Sequence, residues 1–509
     1  MRGIMPGRTA LALAAVLLLA ASPFATRYGE AAVRELSDPN ILGAVEDELI
    51  MDPAVVLNNI DVSVNEGVVS LTGSVDNILA RERAGRVAET VKGVRSVVNR
   101  IDVEPVLLRS DTEIERDVQD ALLDNAATEA FEVRVSVLDG EVTLRGTVDS
   151  WQEKQLAATV AKGVRGVTGL ENRIDVAPVP DRPDDEILAE VQQALRWDAL
   201  VDHVMIEAAV EDGLVMLSGV VGSAAEKRRA MLSAHVTGVV TVDASDLDVK
   251  HWAREEELRK GKYAAVSDPE VRKAVEDALL YDPRVVSLAV TTRVDDGMVT
   301  LRGTVSNLKA KRAAERDAMN TVGVTSVRNR LRVRPQEPVG DEKLERKANA
   351  AITRDPYLET HEITVNVAGG TARLYGSVDS FFEKARAEDA VSAVEGIQIV
   401  DNKVTVDYDR AFPAYDPYVD EQYLSGLDWY RPEPLYPAKG DAEIEEAVRD
   451  QLWWSPFVDA DEVDVTVDAG TAVLTGKVDS WNEYTAAARN AYEAGAVWVD
   501  NDLRVERAD

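Results

Sequence analysis

The chain has 509 residues, of which 45% are hydrophobic, so it can supply packed cores for several domains. It contains no cysteine, which excludes disulfide frameworks, thiolate metal sites and lipidated cysteine anchors. The formal net charge of −34 argues against a general nucleic-acid binder, because such proteins need basic surfaces to neutralise phosphates.

Residues 1–26 are predicted to be an export signal. Arg2 and Arg8 precede an apolar run from Ala10 to Ala21, and Pro23 follows that run. The run of about a dozen residues is short for a membrane span but fits the core of a signal peptide. An uncleaved anchor is the alternative, because no clean A-x-A cleavage site follows. The mature chain is therefore expected in the periplasm or cell envelope.

An internal repeat follows the signal. A pair of glycines separated by five residues recurs along the chain, and each pair frames similar words such as GVVSLTGSV, GEVTLRGTV and GTAVLTGKV. The pairs are Gly67/Gly73, Gly140/Gly146, Gly213/Gly219, Gly297/Gly303, Gly370/Gly376 and Gly470/Gly476. The chain is therefore predicted to contain six copies of one module.

Each module is predicted to have the order αββαβ. In the second copy, apolar residues spaced by four (Ile114, Val118 and Leu122) indicate a first helix. Asp139-Gly140 indicates a type I′ hairpin between two strands. The capping box Ser150-x-x-Glu153 starts a second helix, and an alternating strand closes the module. The predicted fold class is α+β: a three-stranded mixed sheet with two helices on one face.

The repeated G-x-V-x-L-x-G-x-V core and the closing G-V-x-x-V-x-N strand, as in Gly93-Val94 to Asn99, resemble the BON domain (bacterial osmotic-stress and nodulation domain). The copies are assigned to residues 38–104, 111–177, 184–249, 268–334, 341–406 and 441–505, with a connector rich in aromatic residues and proline at 407–440. The resemblance implies a periplasmic or envelope module that associates with phospholipid and carries no catalytic residues.

No constellation for catalysis is found. The four histidines stand apart without metal-ligand spacing, and no G-x-S-x-G motif occurs. We therefore predict no enzyme activity, no catalytic residues, no metal site and no cofactor.

Aromatic residues supply two candidate contact sites. Trp151, Phe381 and Trp481 each follow a cap serine at the start of a second helix. They are interpreted either as packing under the helix end or as rings at a membrane or partner interface. The connector holds eight aromatic residues between Tyr408 and Tyr436. We expect it to pack against folded modules, with a partner-binding strap as the alternative.

Charge is concentrated unevenly. Residues 268–334 hold 13 Lys and Arg against 9 Asp and Glu, whereas residues 441–505 hold 4 against 15. In the closing strand of the fourth copy, arginines alternate with other residues and should share one face, joined by two from the hairpin. The predicted face for an anionic ligand is Arg293, Arg302, Arg328, Arg330, Arg332 and Arg334. Docking of this face on an acidic neighbouring module is the alternative.

These features predict an exported, non-enzymatic binding or scaffold protein linked to osmotic or envelope stress. Its expected partners are phospholipid or another anionic envelope component, together with envelope proteins and no nucleic acid. A periplasmic chaperone or adaptor that binds proteins instead of lipid is the alternative.

Overall fold

The computed structural model describes residues 36–55, 59–125, 127–128, 132–177, 182–254, 266–285, 289–335, 338–406 and 439–505. The predicted export signal and almost all of the aromatic connector lie outside the described residues. The six copies are called modules 1 to 6 in chain order.

The predicted αββαβ order is confirmed in the modules. Module 1 has a helix at Asp38–Met51, strands at Ile60–Asn65 and Val68–Val75, a helix at Ile78–Glu89 and a strand at Ser96–Val103. Module 2 has Asp111–Asp124, Arg134–Leu138, Glu141–Val148, Trp151–Lys162 and Gly169–Val176. Module 3 has Asp184–Trp197, Ile206–Glu211, Leu214–Val221, Ala224–Ser233 and Thr241–Val249.

Modules 4 to 6 repeat this order. Module 4 has Asp268–Tyr281, Val290–Asp295, Met298–Val305, Leu308–Met319 and Ser326–Val333. Module 5 has Asp341–Arg354, Thr364–Ala368, Thr371–Tyr375 with Ser377–Val378, Phe381–Ser392, and Ile399–Asn402 with Thr405–Val406. Module 6 has Asp441–Trp454, Val463–Asp468, Thr471–Val478, Trp481–Glu493, and Trp498–Asn501 with Arg504–Val505. Short 3₁₀ helices lie at His203–Met205, His251–Arg254 and Ala460–Glu462.

Each sheet is mixed, with the second strand in the middle. It pairs antiparallel with the first strand through the hairpin and parallel with the closing strand, as in module 2. Both helices pack on one face, where side chains of period two from the strands meet side chains of period 3.6 from the helices. The core of module 2 is built this way from Ile114, Val118, Leu122, Val142, Leu144, Ala157, Ala161 and Ile174. The opposite face of each sheet carries the polar side chains.

The second glycine of each pair is required by a close approach. In module 4, Gly303 has φ +134°, and a Cβ atom there would lie 2.0 Å from the carbonyl oxygen of Ala289, the residue before the neighbouring strand. The first glycine lies in the hairpin turn, where Asp139 and Gly140 of module 2 both have positive φ, as a type I′ turn demands.

An aspartate at the start of the first helix ties the helix to the hairpin. In module 2, the Asp111 carboxylate accepts hydrogen bonds from the backbone N–H groups of Asp139 (3.0 Å) and Gly140 (2.9 Å). The same pair of bonds is made by Asp38, Asp184, Asp268, Asp341 and Asp441. Each aspartate precedes its turn glycine by 29 residues.

The cap serines act as predicted, with one difference. Ser150 accepts a hydrogen bond from the backbone N–H of Glu153 (3.2 Å), but the Glu153 carboxylate accepts from the N–H of Asp149, one residue before the cap. In modules 3 and 6 the glutamate carboxylate likewise accepts from the N–H one residue before the cap serine. Its second oxygen accepts a hydrogen bond from the loop before the first strand, as Glu226 does from the Asp202 N–H. The glutamate is therefore positioned by two segments.

The modules pair through the ends of their first helices. The last carbonyl of a first helix accepts a hydrogen bond from a loop N–H that follows the second helix of another module. Trp454 accepts from Lys92 (3.0 Å), Arg354 from Arg165 (2.7 Å) and Trp197 from Val322 (2.9 Å). These three equivalent backbone hydrogen bonds join module 6 to module 1, module 5 to module 2, and module 3 to module 4.

Contacts between second helices join the modules further. Arg228 of module 3 pairs with Glu89 of module 1 (2.6 Å), and Lys162 of module 2 pairs with Glu82 of module 1. Lys309 of module 4 pairs with Asp389 of module 5 (2.9 Å). The second helices thus have a buried face toward their own sheet and a polar face toward another module.

Candidate anionic-ligand face and module junctions

The arginines predicted to share a face are brought together on the open side of the module 4 sheet. Arg302 on the middle strand stands directly opposite Arg330 on the closing strand, and Arg293 stands opposite Thr300, which in turn is opposite Arg328. Arg332 follows at the next outward position and Arg334 extends the row just beyond the strand. Alternate residues Val327, Leu331 and Val333 point toward the helices, where Leu331 and Val333 are buried.

All six of these arginines are exposed to solvent. In the part of the chain that the structure describes, none of their guanidinium groups forms an ion pair or side-chain hydrogen bond. Asp295 is the acidic residue on the same face, at the hairpin end. Like charges at neighbouring sheet positions repel one another, so an anion that contacts several of these arginines would relieve that repulsion.

The corresponding positions of modules 1 to 3 differ in charge, whereas module 6 has Arg504 at the position of Arg332. The outward position held by Arg332 is occupied by Asp102 in module 1, Asp175 in module 2 and Asp248 in module 3. In module 3, a bulge opposite Leu217 also replaces the asparagine that Asn329 represents in module 4. The basic face is therefore a property of module 4 and not of the repeated fold.

The three predicted interface aromatics lie in three different places. Trp151 stacks on His235 of module 3, with ring centroids 3.7 Å apart. Trp481 stacks on Tyr484 of its own helix at 4.8 Å. Phe381 is half-buried beside Phe382, whose ring meets Tyr357 edge-on at 4.8 Å. A membrane or partner role for these rings stays a prediction.

The Trp151 contact has an electrostatic consequence for its partner ring. Burial lowers the pKa of His235 to about 4, while a 2.7 Å hydrogen bond between its Nδ1 and the Met231 carbonyl acts in the opposite direction. The imidazole is therefore neutral at neutral pH, which suits a ring stacked between two modules.

A cavity of about 450 Å³ lies among modules 1 to 4. Its wall includes Trp151 of module 2, Trp197 of module 3 and Tyr281 of module 4, together with Asp282 and Asp317 of module 4. Sequence reasoning missed this site, because its residues come from helices far apart in the chain. The sequence contained one signal of this site. In modules 1, 3 and 5 the aspartate that follows the first helix is itself followed, 31 residues later, by an arginine that pairs with it. Module 4 keeps this aspartate, Asp282, but has no arginine at that spacing.

Neither a metal centre nor a membrane helix appears in the described ranges. No group of three or more His, Asp or Glu side chains there could hold a metal ion. No helix among the same residues is long and apolar enough to cross a membrane.

The family is decided by comparison with known sequences. The BON domain profile matches residues 37–105, 110–178, 183–251, 267–335, 340–408 and 440–507, which is most of the chain. The chain belongs to the BON domain family. The six tandem copies predicted from the glycine pairs are thereby confirmed, and so is their α+β fold class.

Curated relatives match single stretches of this BON protein. It is 31% identical over 143 residues to Osmotically-inducible protein Y of Escherichia coli (strain K12), which covers 27% of this chain and 71% of the relative. It is 30% identical over 145 residues to the 21 kDa hemolysin of Actinobacillus pleuropneumoniae, covering 26% and 74%.

A solved structure of CdsD, a structural protein of the type III secretion system of Chlamydia trachomatis, covers 41% of the BON protein and 91% of its own chain. Its sequence identity is 13% and its TM-score is 0.12, so the match carries no argument about function.

Proposed function

We propose that this BON protein is a non-enzymatic, exported envelope protein that binds anionic phospholipid through the basic face of module 4. Membership of the BON family and similarity to an osmotically inducible protein support an envelope role linked to stress. The observation that carries the ligand class is the row of six exposed arginines without acidic partners among the described residues.

Binding has to be local. The chain carries a formal charge of −34, so most of its surface is repelled by an anionic membrane. At physiological salt, electrostatic interactions are screened over about 8 Å. The basic face of module 4 can therefore attract an anionic membrane without strong repulsion from acidic modules farther away. Guanidinium groups also suit phosphate oxygens, because they present several N–H donors in a fixed plane.

Co-sedimentation with liposomes tests this proposal. The full chain is mixed with vesicles of phosphatidylcholine alone or with phosphatidylglycerol added. We expect binding only to the anionic vesicles, and weaker binding as salt is raised. Changing Arg328, Arg330, Arg332 and Arg334 to serine should reduce binding at least about tenfold, because each basic residue at an anionic surface contributes about 1 kcal/mol.

The chain supplies a matched control. Arg100, Arg173 and Arg504 occupy exposed positions on the closing strands of modules 1, 2 and 6, and the exposed Lys403 lies between the two closing segments of module 5. Changing these four residues to serine removes the same total charge but leaves module 4 intact, so binding should persist. Equal loss in both variants, or no binding of the unchanged chain, would contradict the proposal and favour a protein-binding adaptor.

A further inference from the structure

The cavity among modules 1 to 4 has an amphipathic wall. Leu79, Trp151, Leu156, Trp197 and Tyr281 contribute apolar and aromatic surface from all four modules. A volume of about 450 Å³ falls in the range of pockets that hold small organic molecules. Charged side chains from the same helices complete the wall.

The cationic side chains of this wall already have carboxylate partners. Arg229 pairs with Asp198 (2.6 Å), and Arg228 pairs with Glu89 (2.6 Å). The remaining basic side chains pair as follows: Lys162 and Arg86 with Glu82, and Arg284 with Asp282 (2.8 Å). An anionic ligand would therefore have to compete with existing ion pairs.

Module 4 departs here from the modules that it resembles. In modules 1, 3 and 5, the aspartate that follows the first helix pairs with an arginine of the second helix at 2.6 Å. These pairs are Asp52–Arg83, Asp198–Arg229 and Asp355–Arg386. Module 4 keeps the aspartate as Asp282 but has Ala313 in place of the arginine. Asp282 pairs with Arg284 of its own loop instead, and a second carboxyl group, Asp317, lies beside it.

Two acceptor atoms at this end of the cavity lack a donor. Oδ2 of Asp317 and Oδ1 of Asn320 are buried, and neither has a hydrogen-bond partner in the described part of the chain. Asn320 is 7% exposed, and both residues line the cavity. A buried acceptor is stabilised by a hydrogen-bond donor, so a ligand that binds at this end of the cavity should present an N–H or O–H group.

The electrostatic surroundings of Asp317 also favour a hydrogen-bond donor. Burial, followed by the nearby Asp282 carboxylate, raises the pKa of Asp317 well above its usual value, while Arg284 and Arg316 oppose the rise. A cation that entered the cavity would favour the ionised form of Asp317, so its binding would be coupled to release of the proton that burial retains. A metal ion is a poor candidate, since the described residues hold no group of three or more metal-ligating carboxylates or histidines.

We propose that this cavity binds a primary organic ammonium ion that carries an apolar body. The ammonium donates N–H bonds to Asp317 Oδ2 and Asn320 Oδ1, and the apolar body lies among the rings of Trp151, Trp197 and Tyr281. Aromatic faces attract cations as well as apolar groups, which favours this ligand class further. The site is independent of the basic sheet face of module 4.

Isothermal titration calorimetry of the full chain tests the proposal with three probes that share one phenyl ring. They are phenethylammonium, its N,N,N-trimethyl analogue and phenylacetate. We expect phenethylammonium to bind, and the trimethyl analogue to bind at least about tenfold more weakly because it has no N–H to donate. Phenylacetate should not bind. Equal affinity for all three probes, or no binding of phenethylammonium, would overturn the proposal.

Variants locate the binding site. Asp317→Val should lower the affinity for phenethylammonium at least about tenfold, because the ligand loses a carboxyl acceptor. Val87 and Val160 stand at the same helix position in modules 1 and 2, so the fold accommodates valine there. Asn320→Ala provides a second, independent test of the same end of the cavity.

Asp277→Asn is the matched control, because Asp277 lines the cavity but already pairs with Lys273. It should bind phenethylammonium like the unchanged chain. The quadruple arginine variant of module 4 should also keep this affinity, so a failure of lipid binding and a failure of ammonium binding are distinguishable. Unchanged affinity in both Asp317→Val and Asn320→Ala would show that the cavity is not the site.

Discussion

At the scale of single residues, inter-module contacts alter the chemistry of individual side chains. Glu48 of module 1 accepts a hydrogen bond from the side chain of Gln451 of module 6. Burial raises the pKa of Glu48 to about 7; the Gln451 hydrogen bond opposes the rise, Asp52 and Asp47 add to it, and Arg83 opposes it. The contact between modules 1 and 6 is therefore sensitive to pH near neutrality.

Glu48→Gln should remove that sensitivity. The pKa of Glu48 is higher in the folded state than its ordinary value of 4.5, so the folded state holds the extra proton and loses stability as pH rises from 4.5 to about 7. Because Glu48 is only half-buried by its exposed area, we expect an effect of about 1 kcal/mol. The difference between the melting temperatures at pH 5 and pH 8 should be smaller in the variant than in the unchanged chain. At pH 8 the variant should melt at a higher temperature than the unchanged chain. A variant that follows the unchanged chain at both pH values would rule this out.

At the scale of secondary-structure elements, the six modules share one device that holds the hairpin to the first helix. The carboxylate at the first helical position accepts two turn N–H groups, so one side chain fixes the start of the helix and the position of the turn together. An acidic group there also interacts favourably with the helix dipole. The hairpin then carries the middle strand, on which the rest of the sheet is built.

Asp111→Ala should loosen the hairpin turn of module 2. Two turn amides lose their acceptor, which costs about 1 to 2 kcal/mol by the usual energetics of hydrogen bonds to charged groups. Hydrogen–deuterium exchange should become faster at the amides of Asp139 and Gly140. Asp120→Ala changes an exposed residue of the same helix and serves as the control, with exchange expected to stay as in the unchanged chain. Unaltered protection in Asp111→Ala would contradict this role.

At the scale of the whole molecule, three module pairs link the first half of the chain to the second. The backbone bonds at Trp454, Arg354 and Trp197 join modules 6 and 1, 5 and 2, and 3 and 4. Side-chain contacts reinforce them, as where Arg354 pairs with Asp124 at 2.9 Å. Every one of these pairs crosses from modules 1–3 to modules 4–6, so the two halves present three matching surfaces to each other.

The two halves should therefore associate when they are produced as separate chains. Residues 37–254 and 266–505, co-expressed with a tag on one of them, are expected to co-purify and to sediment as a one-to-one complex. Substituting Trp454 and Trp197 with alanine in the respective halves should weaken the complex, because both side chains pack against another module's core. Independent sedimentation of the unchanged halves would show that the pairs depend on chain connectivity.

Local patterns in the sequence determined the module, and tertiary contacts decided how modules meet. The spacing of Ile114, Val118 and Leu122 and the Asp139-Gly140 turn predict their helix and hairpin because both signals act within a few residues. The alternation of Arg328, Arg330 and Arg332 predicts a shared face for the same reason, since the pleat fixes side-chain direction. The stacking of Trp151 on His235 and the hydrogen bond from Gln451 to Glu48 follow no such period. These contacts join residues far apart in sequence, and only the packing of complete modules brings them together.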